Sequence, residues 1–130
     1  MSVIRNRPEE QLQKAVAQYL DLVLPKDAVW WHTPNQRGTR KGWENKMLSA
    51  MGVKAGVPDC VILWNKRLYC VELKAPREYL SDAQKDMHDR LRRAGAKITL
   101  ARCLEDVEDF LLLNGILSRR SVTVEAMEAV

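Results

Sequence analysis

Apolar positions recur at helical spacing near the start of the chain: Leu12, Val16, Leu20 and Val23. That period predicts an amphipathic helix from Pro8 to Leu24, with Pro8 tolerated in the first turn and Pro25 ending it. Ala28 to His32 reads as a short strand closed by Pro34, and the Gly- and Arg-rich stretch from Asn35 to Gly42 as a loop. Trp43 to Met51 has helical character, with Trp43, Met47 and Met51 on one side, until Gly52 and Gly56 interrupt it. Two apolar runs follow, Cys60 to Trp64 and Leu68 to Leu73, separated by Asn65-Lys66-Arg67, the pattern of a β-hairpin. Ser81-x-x-Gln84 is a capping box opening a helix that runs to Ala94, where Ala83, Met87 and Leu91 supply the expected apolar face. Lys97 to Arg102 predicts a further strand, and Leu104 to Leu113 a last helix stopped by Asn114-Gly115. This order predicts an α/β fold, a central mixed β-sheet flanked by α-helices. One domain is expected over residues 1–117, with 118–130 as a tail lacking any period that would hold it. No apolar run approaches the ~20 residues that span a bilayer, so no membrane association is expected.

The hairpin carries chemistry. A two-residue tip at Asn65-Lys66 sets Trp64 opposite Arg67, and counting back sets Asp59 opposite Glu72. Opposed side chains in a sheet lie ~4.5–5.5 Å apart at Cβ, where like charges destabilise the pairing. Lys74, two residues beyond Glu72, shares its face. Two carboxylates and an ammonium converging on an apolar hairpin are costly unless something requires them. A divalent cation does so, since Mg2+ or Mn2+ prefers hard oxygen ligands. Asp59, Glu72 and the backbone carbonyl of Leu73 are the expected metal ligands, with Lys74 acting on water or phosphate beside them. The structural alternative is an Asp59 strand cap beside a Glu72–Lys74 ion pair.

Charge adds a direction. The chain carries 21 Lys and Arg against 17 Asp and Glu. Residues 35–54 hold Arg37, Arg40, Lys41, Lys46 and Lys54 against the single acid Glu44, so the net charge of +4 resides in that stretch. A basic segment leading into a carboxylate site points to a polyanionic substrate. Three cysteines, an odd number, do not form a disulfide framework, and a reducing, cytoplasmic compartment is expected. No CxxC pair, Gly-rich phosphate loop or Gly-x-Ser-x-Gly elbow occurs, which sets aside the chemistries those motifs carry. His32 is expected to be a structural residue at a strand end, and Trp30, Trp31, Trp43 and Trp64 to lie mostly in the core.

Gly56-Val57-Pro58-Asp59 followed by Glu72-Leu73-Lys74 resembles the PD-(D/E)XK nuclease superfamily. With Glu9-Glu10-Gln11-Leu12-Gln13, Thr33-Pro34-Asn35 and Ser81 to Gln84, the arrangement looks like the VRR-NUC (virus-type replication-repair nuclease) family, from about Glu9 to Leu112. The resemblance implies a restriction-endonuclease-like fold, Asp59 and Glu72 as metal carboxylates and Lys74 as the catalytic lysine. It also implies a helix acid at Glu9, with Glu10 as the fallback, and Gln84 near the site. Either acid competes with a helix-dipole role and Gln84 with its capping role. Asn35 and Arg37, with Arg40, Lys41 and Lys54, are the expected DNA contacts.

The function expected on this basis is that of a Mg2+- or Mn2+-dependent DNA endonuclease. Stand-alone members of the family imply a homodimer selective for branched DNA such as four-way Holliday junctions, since one site per chain cannot make paired cuts. A nuclease of the same fold acting on linear duplex or flaps, and a non-catalytic DNA-binding module, are the alternatives.

Overall fold

Asn65 and Lys66 adopt left-handed backbone conformations, φ 49° and 66°, as a two-residue hairpin turn of the primed type requires. The turn joins β2 (Cys60–Trp64) to β3 (Arg67–Leu73) and fixes their antiparallel register, Trp64 opposite Arg67 through to Cys60 opposite Val71. The computed structural model describes residues 8–34 and 42–121, and side chains for these apart from residues 42–45. β1 (Val29–His32) pairs antiparallel with β2. β4 (Lys97–Ala101) pairs parallel with β3. The result is a mixed sheet in the order β1-β2-β3-β4. Among the described residues it is accompanied by the helices α1 (Pro8–Val23), α2 (Gly42–Ala50), α3 (Asp82–Arg93) and α4 (Leu104–Leu113). The α/β class and the element order agree with the periodicity of the sequence. No helix among the described residues is long and apolar enough to cross a membrane.

Strand alternation gives the two sheet faces different work. Cys60, Ile62, Tyr69, Val71 and Leu73 point to one face and pack with Val16, Tyr19 and Leu20 of α1 and with Leu104, Val107, Phe110 and Leu111 of α4. Tyr69 and Phe110 meet edge-on at 6.2 Å, a favoured aromatic geometry. Val61 and Cys70 point to the other face, where Ala96, Leu68, Leu91 and Ile98 complete a smaller cluster. Cys60 and Cys70 therefore lie on opposite faces, and none of the three cysteines is in a disulfide.

Two expectations about packing are corrected. Trp31 is exposed (46%), because it lies on the edge strand β1 with its side chain on the face that α1 does not cover. Trp30 and Trp64 are half-buried and pack against the core as expected, giving their indole N–H groups to Asp21 and Asp27; the Trp43 side chain lies outside the described residues. On α3, the inward stripe is Gln84, His88 and Leu91 rather than Ala83, Met87 and Leu91, for Ala83 is exposed and His88 buried. The helix is rotated so that its polar residues reach the sheet where the sheet itself becomes polar.

The loop leading into β2 is fitted closely to the start of α3. Gly56 has φ 78°, and a Cβ there would lie 2.3 Å from the carbonyl oxygen of Ala83. Gly115, at φ 73°, has open space around it. Gly115→Ala should therefore cost only the about 1–2 kcal/mol of a left-handed non-glycine residue. Gly56→Ala should cost clearly more, measured as a larger shift in urea midpoint at unchanged m-value. Equal shifts would mean the loop and α3 are not in contact.

Candidate active site

Continuing the hairpin register past Cys60 and Val71 sets Asp59 opposite Glu72 and Pro58 opposite Leu73. Asp59 is held from three directions. The N–H of Leu73 donates to Asp59 Oδ2 at 2.7 Å. The Asp59 carbonyl accepts from the N–H of Thr33 at 2.7 Å and from His32 Nδ1 at 2.8 Å. A carbonyl can only accept, so Nδ1 carries the proton. His32 thus ties the end of β1 to the site backbone, in keeping with the structural role expected of it.

Glu72 is 1% exposed and shares its face with Cys70. Its two oxygens meet α3: Oε1 lies 3.0 Å from His88 Nε2 and Oε2 3.4 Å from Gln84 Nε2. Gln84 serves the cap and the site together. Its Oε1 accepts from the N–H of Ser81 at 2.9 Å, while its own N–H donates to the Ser81 hydroxyl at 3.1 Å. The opposite end of the same amide faces Glu72. Burial, then the neighbouring Arg92 charge, holds His88 below the usual histidine range, so it is neutral at pH 7.

Lys74 is buried, its N–H bonded to the carbonyl of Ala101 at 3.0 Å. Glu9 lies on the inward face of α1, in line with the core residues Val16 and Leu20, whereas Glu10 is exposed. The carboxyl of Glu9 is raised above its ordinary value by burial, then by Glu78, with Asp59 adding to this and Lys74 opposing it. Glu78, unremarked in the sequence, is the neighbouring acid that adds most to this rise. The loop after β3 turns back at Arg77, φ 69°, and is fastened by Arg102 Nη1 donating to the carbonyl of Ala75 at 2.6 Å. The structure thus gathers Glu9, Asp59, Glu72, Lys74 and Gln84, and adds His88 and Glu78. Lys54 is exposed on the loop before β2. Asn35, Arg37, Arg40 and Lys41 lie outside the described residues.

A second buried acid shows what a structural glutamate looks like in this fold. Glu108, 2% exposed, receives Tyr19 Oη at 2.8 Å, Arg120 Nη1 at 3.3 Å and the N–H of Ser121 at 3.0 Å. Each of these partners is a donor, and Arg120 balances its charge. Glu72 instead faces another carboxylate. Burial first, then Asp59, push its pKa far above the ordinary carboxylate range, with Lys74 offsetting only part. A carboxylate pair so placed is stable with a proton between its members or with a cation.

The donor set fits a hard divalent cation. Asp59 and Glu72 supply carboxylate oxygens. A strand residue turns its N–H and C=O to the same side, so the Leu73 carbonyl faces the β2 edge, where Pro58 has no N–H to offer it. Among the described residues no group of three or more His, Cys, Asp and Glu side chains is arranged to hold a metal. A cation here would rest on Asp59, Glu72, the Leu73 carbonyl and oxygens from water or phosphate, the habit of Mg2+.

The comparisons with known proteins bear on the domain and its fold. A family model described as the VRR-NUC domain matches residues 7–104. A solved structure described as a VRR_NUC domain protein is 20% identical, with a TM-score of 0.64, covering 88% of this chain and 92% of its own. Another, described as a VRR_NUC domain, is 16% identical with a TM-score of 0.57, covering 85% of this chain and 98% of its own. At such identities the likeness shows the fold. No curated protein matches the sequence.

The raised pKa of Glu72 has a sign that can be measured. The folded protein holds a proton that the unfolded chain releases near the ordinary value of 4.5, so without metal Glu72 makes stability fall as pH rises above that value. In EDTA, Glu72→Gln should flatten this fall between pH 5 and 9, giving a higher Tm than wild type at the alkaline end. Mg2+ or Mn2+ should raise the wild-type Tm and leave the variant unmoved. Parallel curves for the two proteins, with and without metal, would show that no such strain resides at Glu72.

Proposed function

The chain belongs to the VRR-NUC family, a nuclease-type domain, and from that premise we propose that it is a Mg2+- or Mn2+-dependent DNA endonuclease. The observation that carries this reading is the buried Glu72 held beside Asp59, in contrast to the donor-satisfied Glu108. A divalent cation bound by Asp59, Glu72 and the Leu73 carbonyl would supply positive charge beside the scissile phosphate and make hydroxide accessible at neutral pH.

The protein's own groups do the rest. His32, Thr33 and Leu73 fix Asp59 from both sides, and α3 fixes Glu72. Lys74, buried just beyond β3, would offer its ammonium to a phosphate oxygen or the attacking water, countering charge that develops during cleavage. Glu9 and Glu78 add negative charge on the α1 side, which favours cation retention. The basic segment containing Arg37, Arg40 and Lys41, with Asn35 among them and Lys54 at its end, is the proposed DNA track.

The substrate proposed is branched DNA, a four-way junction above all, cut by a homodimer. The support is economy: one such site per chain makes one cut, and two symmetric cuts need two chains. Val29, Trp31, Leu63, Met47 and Met51 are exposed apolar residues, suited to packing against another chain.

Lys74→Ala should lower cleavage at least about a hundredfold while leaving DNA affinity nearly unchanged; joint loss of both would assign Lys74 to the fold instead. Neutralising Arg37, Arg40 and Lys41 together should weaken binding and reduce the log–log salt slope by about 0.9 for each duplex phosphate that is no longer neutralised. An unaltered slope would remove this segment from the DNA track. Labelled junction, flap and linear duplex, compared side by side with each metal, test the substrate. Preferential paired cutting of the junction is expected, and equal cutting of linear duplex would contradict the branched-DNA reading. Binding to all three without cleavage under either metal would favour a non-catalytic module.

A further inference from the structure

The inward stripe of α3 changes character along its length. Leu91 packs on Val61, Cys70 and Ala96, His88 reaches Glu72 Oε1, and Gln84 reaches Glu72 Oε2. Positions 84, 88 and 91 are one helix face at i, i+4 and i+7 spacing, so a single rigid element addresses both oxygens of one carboxylate. The donor at the Gln84 end is fixed by chemistry. Its Oε1 is committed to the N–H of Ser81, so the atom facing Glu72 must be the amide nitrogen.

His88 is 2% exposed and lies one helical turn beyond Gln84, between it and the apolar contact made by Leu91. Its Nε2 is directed at a carboxylate oxygen, which a hydrogen bond satisfies, so His88 is not itself a free ligand for an ion. Arg92 and Asp89 on its own helix are paired with each other at 3.6 Å on the solvent side, which leaves the inner face of α3 to Gln84 and His88.

We propose that His88 is a positioning residue for the reaction: its Nε2–H, paired with the Gln84 amide, holds the Glu72 carboxylate in one pose toward the divalent cation. The inference rests on the metal-dependent reading above and deepens it. Carboxylate ligands that are not oriented in this way can rotate about their last torsion, and loss of such outer partners typically weakens metal binding about 10–100-fold.

The test compares wild type, His88→Leu and His88→Gln at constant pH. Leu fills the space without a donor, and Gln returns an N–H at similar reach. Mn2+ affinity is read from electron paramagnetic resonance of the free ion, and fold integrity from Tm. The expected result is at least about tenfold weaker Mn2+ binding for His88→Leu and recovery of most of that loss in His88→Gln. A His88→Leu protein that binds Mn2+ like wild type overturns the proposal, as does a folded His88→Gln protein as weak as His88→Leu. If the leucine variant does not fold, nitrogen–proton correlation spectra of the wild type with Mg2+ decide. An Nε2–H neutral imidazole at His88 supports the clamp, and an Nδ1–H tautomer overturns it. Wild type that binds neither ion overturns the metal-dependent reading, and this inference with it.

Discussion

The whole molecule is organised around keeping two carboxylates, Asp59 and Glu72, within reach of each other. Their positions are set at a distance, by the left-handed turn at Asn65 and Lys66, because a shift of one residue at the tip would send every side chain of β3 to the wrong face. Without metal, the repulsion of the pair is relieved by the proton that burial and Asp59 keep on Glu72. Leu73, Gln84 and His88 supply neutral donors, while Lys74, the ammonium near the pair among the described residues, faces more carboxylates than it can balance. On the proposed reading a divalent cation would take the place of that proton and complete a nuclease site on a small sheet.

The two faces of the sheet divide stability from chemistry. α1 and α4 bury the large apolar residues on one face, where the buried acid Glu108 is satisfied by Tyr19, Arg120 and the backbone of Ser121. On the other face α3 covers a thin apolar cluster and then gives way to polar contacts over Glu72. α1 serves both, sending Val16, Tyr19 and Leu20 into the core and Glu9 toward the site. Gly56 lets the loop before Asp59 lie directly on the backbone of α3, so the elements that hold Asp59 and those that orient Glu72 cannot shift independently.

Much of this is legible in the sequence because it is local. The turn residues fix the register, the register fixes the carboxylate pair, and Ser81-x-x-Gln84 announces the helix start that the structure shows as a capping box. What is not legible depends on the rotation of packed elements. Ala83, Met87 and Leu91 form a reasonable apolar face by spacing, yet α3 turns by one residue to place His88 inside, where an apolar residue would leave Glu72 Oε1 without its partner on the helix. Glu78 sits in a loop without period, and only the turn at Arg77 and the Arg102 anchor bring it to Glu9. The size of Trp31 suggests core, but edge position decides its exposure. The signal in the sequence that points to His88 is its spacing, one turn from the capping Gln84 and on the same face as Leu91.

On the proposed reading, Asp59 and Glu72 are held together to share a divalent cation. Anomalous diffraction from a manganese-soaked crystal tests it directly. One strong peak is expected about 2.1 Å from oxygens of both carboxylates and from the Leu73 carbonyl. Carboxylates separated from one another, with manganese bound at some other place or nowhere, would contradict it.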